Sequence, residues 1–334
     1  MTIRHKLSNV MLEVAEHVSA HHDLYYRTSG SVLYDGSSSS LVVSGSADFL
    51  TYLNACPVIK WRRYAQVSRV WLHIETSAVG SLLRVVGVPS GETNDEQCLS
   101  TLSLSPSEGT PVTGGVAYDV ELPIAGMDLV AFRLSSDAEP VSLRSAYYYV
   151  QVGEGDVNDV RLALSTTTFK KENYIVPNIE LVREGLSCED DPVAGHFHMF
   201  VVDNGRTLDA DALSDDLVTV IPNENVGGSG GFARGMIAAL ESDEGFTHVL
   251  LMDDDVRIFP ESLKRTYNLL ALARGRYRTA FINGAMLSLD EPTRQFEDVS
   301  YVDKTAVYRR IKEDLYVDDL ADVVKNERTD VEVD

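Results

Sequence analysis

The chain changes its hydrophobic period once, near residue 153, and that change limits the folds open to it. From Leu41 to Val152 the apolar residues fall in short runs: "LVVSG", "FLTYLN", "VWLHIETS", "SLLRVVGVP", "TLSLS", "VAYDVELPI", "LVAFRLSS" and "AYYYVQV". Turn residues close each run and no helical stretch separates them. Strands that follow one another without crossover helices pair antiparallel, so residues 41–152 read as a β-sandwich or jelly roll. After "GEGDVND" strand-like runs ("VRLALSTTTF", "FHMFVVDNG", "LVTVIP", "THVLLM", "TAFINGAML") alternate with helical ones ("ENYIVPNIELVREGL", "GFARGMIAALES", "PESLKRTYNLLALARG"). Such alternation requires crossover connections, and a mainly parallel sheet is predicted for residues 153–334. Ahead of both, "LSNVMLEVAEHVSA" sets Leu7, Val10, Met11, Val14 and Val18 at helical spacing and the small, polar "TSGSVLYDGSSSS" follows, so residues 1–40 read as a short helix and a flexible connection.

Charge supports the same division. Residues 1–150 carry 10 Lys and Arg against 15 Asp and Glu, and residues 151–334 carry 19 against 36. A net charge of -22 opposes nucleic-acid binding, because phosphates require Lys and Arg for neutralisation, and it offers no polybasic attraction to anionic lipid. Cys56, Cys98 and Cys188 form no C-x-x-C, so neither a disulfide framework nor a zinc knuckle is indicated, and a reducing cytoplasm fits. No run approaches the ~18 apolar residues of a membrane span, and no signal-peptide core opens the chain.

In open parallel sheets ligands sit outside the carboxyl ends of the strands. The tails to inspect are therefore "TTTFKK", "VVDNG", "IPNENVGGSGG" and "MDDD". Three consecutive carboxylates after "THVLLM" are usually a solvated acidic run, like the "EDD", "SDD" and "VDD" elsewhere in the chain. This one ends an apolar strand, where alternate residues share a face, so Asp253 and Asp255 point together and Asp254 points opposite. Paired hard oxygens are tolerated when a divalent cation neutralises them, and Mg²⁺ or Mn²⁺ is held by one or two carboxylates with substrate phosphates.

The glycine run "NENVGGSGGFARG" formally matches G-x-G-x-x-A at Gly228, Gly230 and Ala233, yet it follows the third strand of its domain, not the first, and no Gly-Lys-Ser/Thr makes it a P-loop. What survives is bare backbone at a helix N-terminus, which favours close approach by an anion. Asp203 and Asn204 can hydrogen-bond a base or ribose, or simply build a turn. Lys170 and Lys171 are rare positive charges, suited to a phosphate or to solvent. His196 and His198 in "HFH" read as structural, since no third ligand lies nearby. H-E-x-x-H and G-x-S-x-G are absent.

Four strand-end loops in this order, closed by Asp-x-Asp, resemble the GT-A fold of family 2 glycosyltransferases. More closely, "NENVGGSGGFARGM…LLMDDDVRIFPESL…INGAMLSLDEP" resembles the bacterial polymerising galactofuranosyltransferases, which build galactan on a lipid carrier. The segment "TYLNACPVIKWRRYAQVSRVWLHIE" is similar to that family's N-terminal β-domain, and the likeness spans about residues 45–334. The resemblance implies a UDP-galactofuranose donor, with Mn²⁺ or Mg²⁺ on Asp253 and Asp255. It also implies donor contacts from Thr168, Phe169, Lys171, Asn204, Asn225, Gly228 and Asp253, with Asp203 beside them. Lys171 stands where the family has Arg, keeping charge but losing the bidentate fork, and Asn204 replaces a Gln.

An inverting transfer needs a cation for the departing diphosphate, a positioned acceptor hydroxyl and a carboxylate base. In the family the aromatic acceptor segment, the base and a metal-ligating His follow the point matched by "NERTDVEVD". The expectation is thus a fragment with the β-domain and donor half-site, inactive alone and with its base beyond Asp334. Its partners would be the donor and a lipid-linked or polysaccharide acceptor at the cytoplasmic face of the plasma membrane, and a homo-oligomer is compatible with this. The competing readings are a non-catalytic nucleotide-sugar or glycan-binding module and, on the glycine motif alone, a nicotinamide dehydrogenase.

Overall fold

The computed structural model describes residues 1–312 and 314–329. By internal contacts the chain divides into two units: Met1–Val152 together with the residues from Ala273 onward, and Gly153–Leu272. Residues beyond 272, expected in the second domain, thus pack with the first unit.

The first unit is built on a nine-stranded sheet comprising β1 (Thr2–Asn9), β2 (Arg27–Asp35), β3 (Ser40–Asp48), β4 (Val70–Thr76), β5 (Ser81–Pro89), β6 (Gln97–Leu104), β7 (Thr110–Val112), β8 (Gly115–Leu122) and β9 (Met127–Gly153). The registered pairs are antiparallel, as the helix-free spacing predicts. The architecture differs from two separate sheets, because "LVAFRLSS" and "AYYYVQV" are one 27-residue strand. The first half of β9 pairs with β5 and its second half with β4, while β3 crosses between the halves, so the antiparallel sheet curls and stays continuous. Its interior holds Phe49 stacked on Phe132 at 4.5 Å, with Leu72, Ile74, Leu83 and Leu143 fully buried.

Several local expectations fail. Residues 7–20 are not a helix: β1 ends at Asn9 and a kinked 3-10 segment spans Glu16–Leu24. Backbone pairing with β9 outweighs the helical spacing of the apolar residues, a tertiary override of a weak local preference. The "flexible" serine-rich stretch is β2, registered with β3 from Arg27↔Asp48 to Asp35↔Ser40. Glycine makes that pairing possible. Gly30 and Gly45 oppose each other at φ +85° and +121°, and a Cβ on Gly45 would lie 2.2 Å from the Ser29 carbonyl oxygen. "FLTYLN" is turn, not strand, and helix α1 (Val58–Ala65) interrupts what reads as helix-free.

The second unit has the expected parallel sheet, β10 (Leu162–Thr168), β11 (Phe197–Asp203), β12 (Val218–Pro222) and β13 (His248–Asp253), in the order β12-β11-β10-β13. Helices α2 (Glu172–Leu186), α3 (Ala210–Leu213), α4 (Gly227–Glu241) and α5 (Pro260–Leu272) alternate with and follow the strands. One face is a large apolar core, where Ile175, Ile179 and Val182 of α2 and Leu263, Tyr267 and Leu270 of α5 cover Leu162, Leu164, Met199 and Val201. Both helices place these residues at the three- and four-residue spacing of a helix stripe. The opposite face, under α4, holds a smaller apolar cluster of Ala163, Phe200 and Ala239, with Ile221, Ala238 and Phe246 packed against it.

"TAFINGAML" does not form the fifth long strand. It becomes a 3-10 turn (Gly275–Thr279), an extended stretch and the two-residue β14 (Met286–Leu287), with Phe281 fully exposed. The last five residues of "NERTDVEVD", 330–334, lie outside the described residues. Among the described residues no helix is long and apolar enough to cross a membrane. Cys56, Cys98 and Cys188 are free thiols.

Candidate functional site

The four parallel strands end level with one another. Thr168 registers with Asp203, Thr167 with Asp253, and Asp203 with Pro222, so the four tails leave from one sheet edge. From β10 the chain steps outward through β11 to β12, then returns to place β13 on the other side of β10. The order therefore reverses between β10 and β13. The tails of β10 and β13, Thr168–Lys171 and Asp253–Asp255, leave the sheet side by side at this reversal, and the carboxyl ends of strands at such a point are where open α/β sheets bind ligands.

Burial along the β13 tail alternates: Met252 is buried, Asp253 exposed, Asp254 buried and Asp255 exposed. β13 ends at Asp253 and the next two residues are turn, yet the alternation of exposure persists, leaving Asp253 and Asp255 exposed and Asp254 buried. The turn after them is held from α2. Asn178, 2% exposed, donates through Nδ2 to the Val256 carbonyl at 2.6 Å and to that of Asp254 at 3.5 Å, and its Oδ1 accepts from Ile258 N at 3.4 Å. Sequence reasoning missed Asn178. A polar residue on the apolar stripe between Ile175 and Val182 was the available signal.

From the opposite tail, Lys171 Nζ donates to Asp255 Oδ2 at 2.7 Å and to Asp254 Oδ1 at 3.4 Å. The hydrogen bond raises the Lys171 pKa above that of ordinary lysine and holds the Asp255 carboxyl below the usual carboxylate range. Lys171 and Asp255 were expected to touch different parts of a ligand, and here they touch each other. Phe169 is half exposed, with Lys170 Nζ 5.2 Å from its ring centroid. Thr168 is 3% exposed, and its buried hydroxyl has no hydrogen-bond partner among the described residues.

Asp203 and Asn204 are brought to the same edge but serve the loops. Asp203 is fully buried, and its carboxylate accepts from Gly205 N at 2.9 Å, Thr207 N at 2.7 Å and Leu208 N at 2.8 Å. In this conformation it offers nothing to a base or ribose. Asn204 donates to the Gly227 carbonyl at 3.1 Å and accepts from Asn223 Nδ2 at 2.9 Å, which ties the end of β11 to the start of α4. Asn225 caps that helix start, its Oδ1 accepting from Gly227 N at 3.1 Å.

The glycine run has two functions. Gly227 and Gly228 are exposed with open space where a Cβ would go, and with the Gly227 N–H held by Asn225 it is the bare backbone around Gly228 that an anion can approach at the α4 N-terminus. Gly231 and Gly235 are buried. A Cβ would lie 2.0 Å from Thr167 Oγ1 at the first and 2.1 Å from Ser165 Oγ at the second. Their four-residue spacing is what lets α4 close against the hydroxyl-lined face of β10.

The histidines stay structural. His198 Nε2 lies 2.8 Å from Thr219 Oγ1 and Nδ1 lies 3.2 Å from the Asp216 carbonyl, while burial lowers its pKa. His196 packs against the Tyr267 ring at 5.7 Å. Among the described residues no three or more His, Cys, Asp or Glu side chains are grouped to hold a metal. The Asp253 and Asp255 pair is a smaller donor set, of the kind that Mg²⁺ or Mn²⁺ completes with substrate phosphate and water.

Sequence comparison bears on what this edge serves. The chain is 28% identical over 268 residues to galactofuranosyltransferase GlfT2 of Mycolicibacterium smegmatis, covering 73% of this chain. It is also 28% identical over 255 residues to GlfT2 of Mycobacterium tuberculosis, again over 73% of the chain. The chain is galactofuranosyltransferase-like. This galactofuranosyltransferase-like chain spans 37% of the length of each of those relatives. No protein-family model matches it. Likeness to solved structures is slight and carries no argument. A Clostridium thermocellum xylanase 10B fragment gives a TM-score of 0.27 at 9% identity, covering 62% of this chain and 39% of that one. A ruminal GH26 endo-β-1,4-mannanase gives 0.20 at 7%, covering 76% of this chain and 62% of that one.

Proposed function

We propose that Gly153–Leu272 is the donor-binding part of a GT-A glycosyltransferase that moves galactofuranose from UDP-galactofuranose to a growing glycan acceptor, with inversion and with Mn²⁺ or Mg²⁺. The observation that carries the reading is the pair of tails at the reversal of strand order between β10 and β13, where the exposed carboxylates Asp253 and Asp255 lie beside the basic Lys170–Lys171 tail. The donor set fits the ion: both carboxylates are hard oxygen ligands on the exposed side of the strand end, and the Lys171 ammonium already rests as a positive charge against one of them.

Asp253 and Asp255 would hold the cation, which when bound supplies charge stabilisation to the departing diphosphate. Around it the chain's own groups position the donor. Half-exposed Phe169 offers a ring face for the uracil, and the buried Thr168 hydroxyl lies directly behind it on the strand. The exposed backbone around Gly228, at the start of α4, suits a phosphate oxygen. Asp203, Asn204 and Asn225 hold the loops that carry these groups. No catalytic base is assigned to this chain, and the acceptor would be a lipid-linked or polysaccharide glycan.

Isothermal titration calorimetry with UDP, with and without Mn²⁺, tests the assignment. Binding should require the ion and disappear in Asp253→Asn and Asp255→Asn while both variants keep the wild-type far-UV circular dichroism. Metal-independent glycan binding with no affinity for UDP would replace this reading with that of a glycan-binding module.

A further inference from the structure

Lys171 occupies a position that a simple phosphate contact does not explain. It is the N-cap residue of α2, its backbone fixed between β10 and the helix, yet its side chain reaches across to the tail of β13. There Nζ sits 2.7 Å from Asp255 Oδ2 and 3.4 Å from Asp254 Oδ1. The ammonium is 42% exposed and the Asp255 carboxylate 50%, whereas that of Asp254 is 10% exposed. The pair is thus anchored on its inner side by Asp254 and open on its outer side.

We infer that Lys171 is a displaceable counter-ion, competing with the divalent cation for Asp255 and, once displaced, turning to the diphosphate that arrives with the nucleotide. The inference rests on the metal and donor reading above. An ammonium within hydrogen-bonding distance of a carboxylate oxygen takes the lone pair a metal would use and repels a second positive charge a few ångströms away. Cation entry must therefore break the 2.7 Å contact. The freed ammonium sits on a flexible four-carbon stem and has three donors with no remaining partner on Asp255. An anionic ligand is then favoured twice, by the cation and by the released ammonium. Cation and nucleotide binding become positively coupled, and linkage requires the coupling to be equal in both directions. Before the cation enters, the ammonium offsets part of the repulsion between Asp254 and Asp255.

Electron paramagnetic resonance of free Mn²⁺, titrated into the full chain without nucleotide, reads the competition. Lys171→Met should bind Mn²⁺ about tenfold more tightly than wild type, the scale expected when one like charge is removed at this range, and Lys171→Arg should match wild type. With Mn²⁺ saturating, UDP should bind Lys171→Met more weakly, so the coupling shrinks. A second measurement needs no loss-of-charge variant: in protein carrying ¹³C-methylated lysines, diamagnetic Mg²⁺ should move the Lys171 methyl resonance toward that of a solvent-exposed lysine. Equal Mn²⁺ affinity in wild type and Lys171→Met, or an unmoved Lys171 resonance at saturating Mg²⁺, overturns the competition while leaving the metal site standing if Asp255→Asn abolishes Mn²⁺ binding. Absence of Mn²⁺ binding in wild type and variants alike overturns both readings.

Discussion

At the scale of single residues, the glycines of α4 show how one sequence run carries two separate demands. Gly227 and Gly228 stand in open space, but a Cβ on Gly231 would meet Thr167 at both Oγ1 (2.0 Å) and Cβ (2.7 Å), and Asn204 Nδ2 at 3.1 Å. Rotating the threonine cannot relieve a contact with its own Cβ. Replacing a mid-helix glycine by alanine ordinarily gains up to ~1 kcal/mol, whereas overpacking costs about 1–3 kcal/mol. Gly231→Ala is therefore expected to destabilise the chain despite the helix gain, and to weaken UDP binding through the displaced Asn204. Gly235→Ala should be milder, because its nearest contact is Ser165 Oγ at 2.1 Å, and that hydroxyl, lacking a hydrogen-bond partner among the described residues, is free to rotate. Paired urea denaturation curves decide the ranking, and equal midpoints for the two variants would contradict it.

At the scale of elements, the site depends on α2 as much as on the strand that bears its carboxylates. Buried Asn178 holds the turn after β13 through Val256 and Ile258, so α2 sets the path of the chain leaving Asp253–Asp255. Truncation to alanine would leave the Val256 carbonyl without that 2.6 Å bond. A buried group left unpaired costs about 1–3 kcal/mol. Asn178→Ala should therefore lower stability by that amount and also weaken Mn²⁺-dependent UDP binding, although Asn178 is not placed against the ligand. Calorimetry on the folded variant separates the two effects, since a purely stabilising residue would lower the unfolding midpoint and leave UDP affinity unchanged.

At the scale of the whole molecule, the first unit is assembled from two distant stretches of chain. Arg328, in α6 (Leu320–Arg328), closes that assembly. It donates to Asp128 Oδ2 at 2.7 Å, Asn94 Oδ1 at 2.9 Å, and the carbonyls of Pro89 at 2.8 Å and Thr93 at 3.0 Å, while Lys60 pairs with Glu327 at 2.8 Å. The Asp128 carboxylate is only 4% exposed. Removing its nearest guanidinium leaves a buried charge with Arg62 3.9 Å away and Ser90 Oγ 2.5 Å away. Breaking such a pair costs about 3–5 kcal/mol, and the remaining partners reduce this. Arg328→Ala is expected to lower the thermal midpoint of the first unit clearly, read by calorimetric unfolding, and Arg328→Lys to recover only part of it because a single ammonium cannot bridge four acceptors.

Within these scales the division between sequence and structure is physical. Periodicity by itself determined that strands without crossovers precede strands with them, because the period of two and the crossover requirement are local properties of the backbone. It also anticipated the alternation of exposure at the end of β13, with Asp253 and Asp255 exposed and Asp254 buried. Only the tertiary structure decided that β1 joins the antiparallel sheet through β9 and that residues 273–329 pack with the first unit, because a partner over a hundred residues away leaves no mark in local spacing. Only the fold, likewise, could place Lys171 on Asp255. The two lie 84 positions apart in sequence, and the reversal of strand order between β10 and β13 is what brings a lysine read as a ligand contact onto a carboxylate read as a metal ligand.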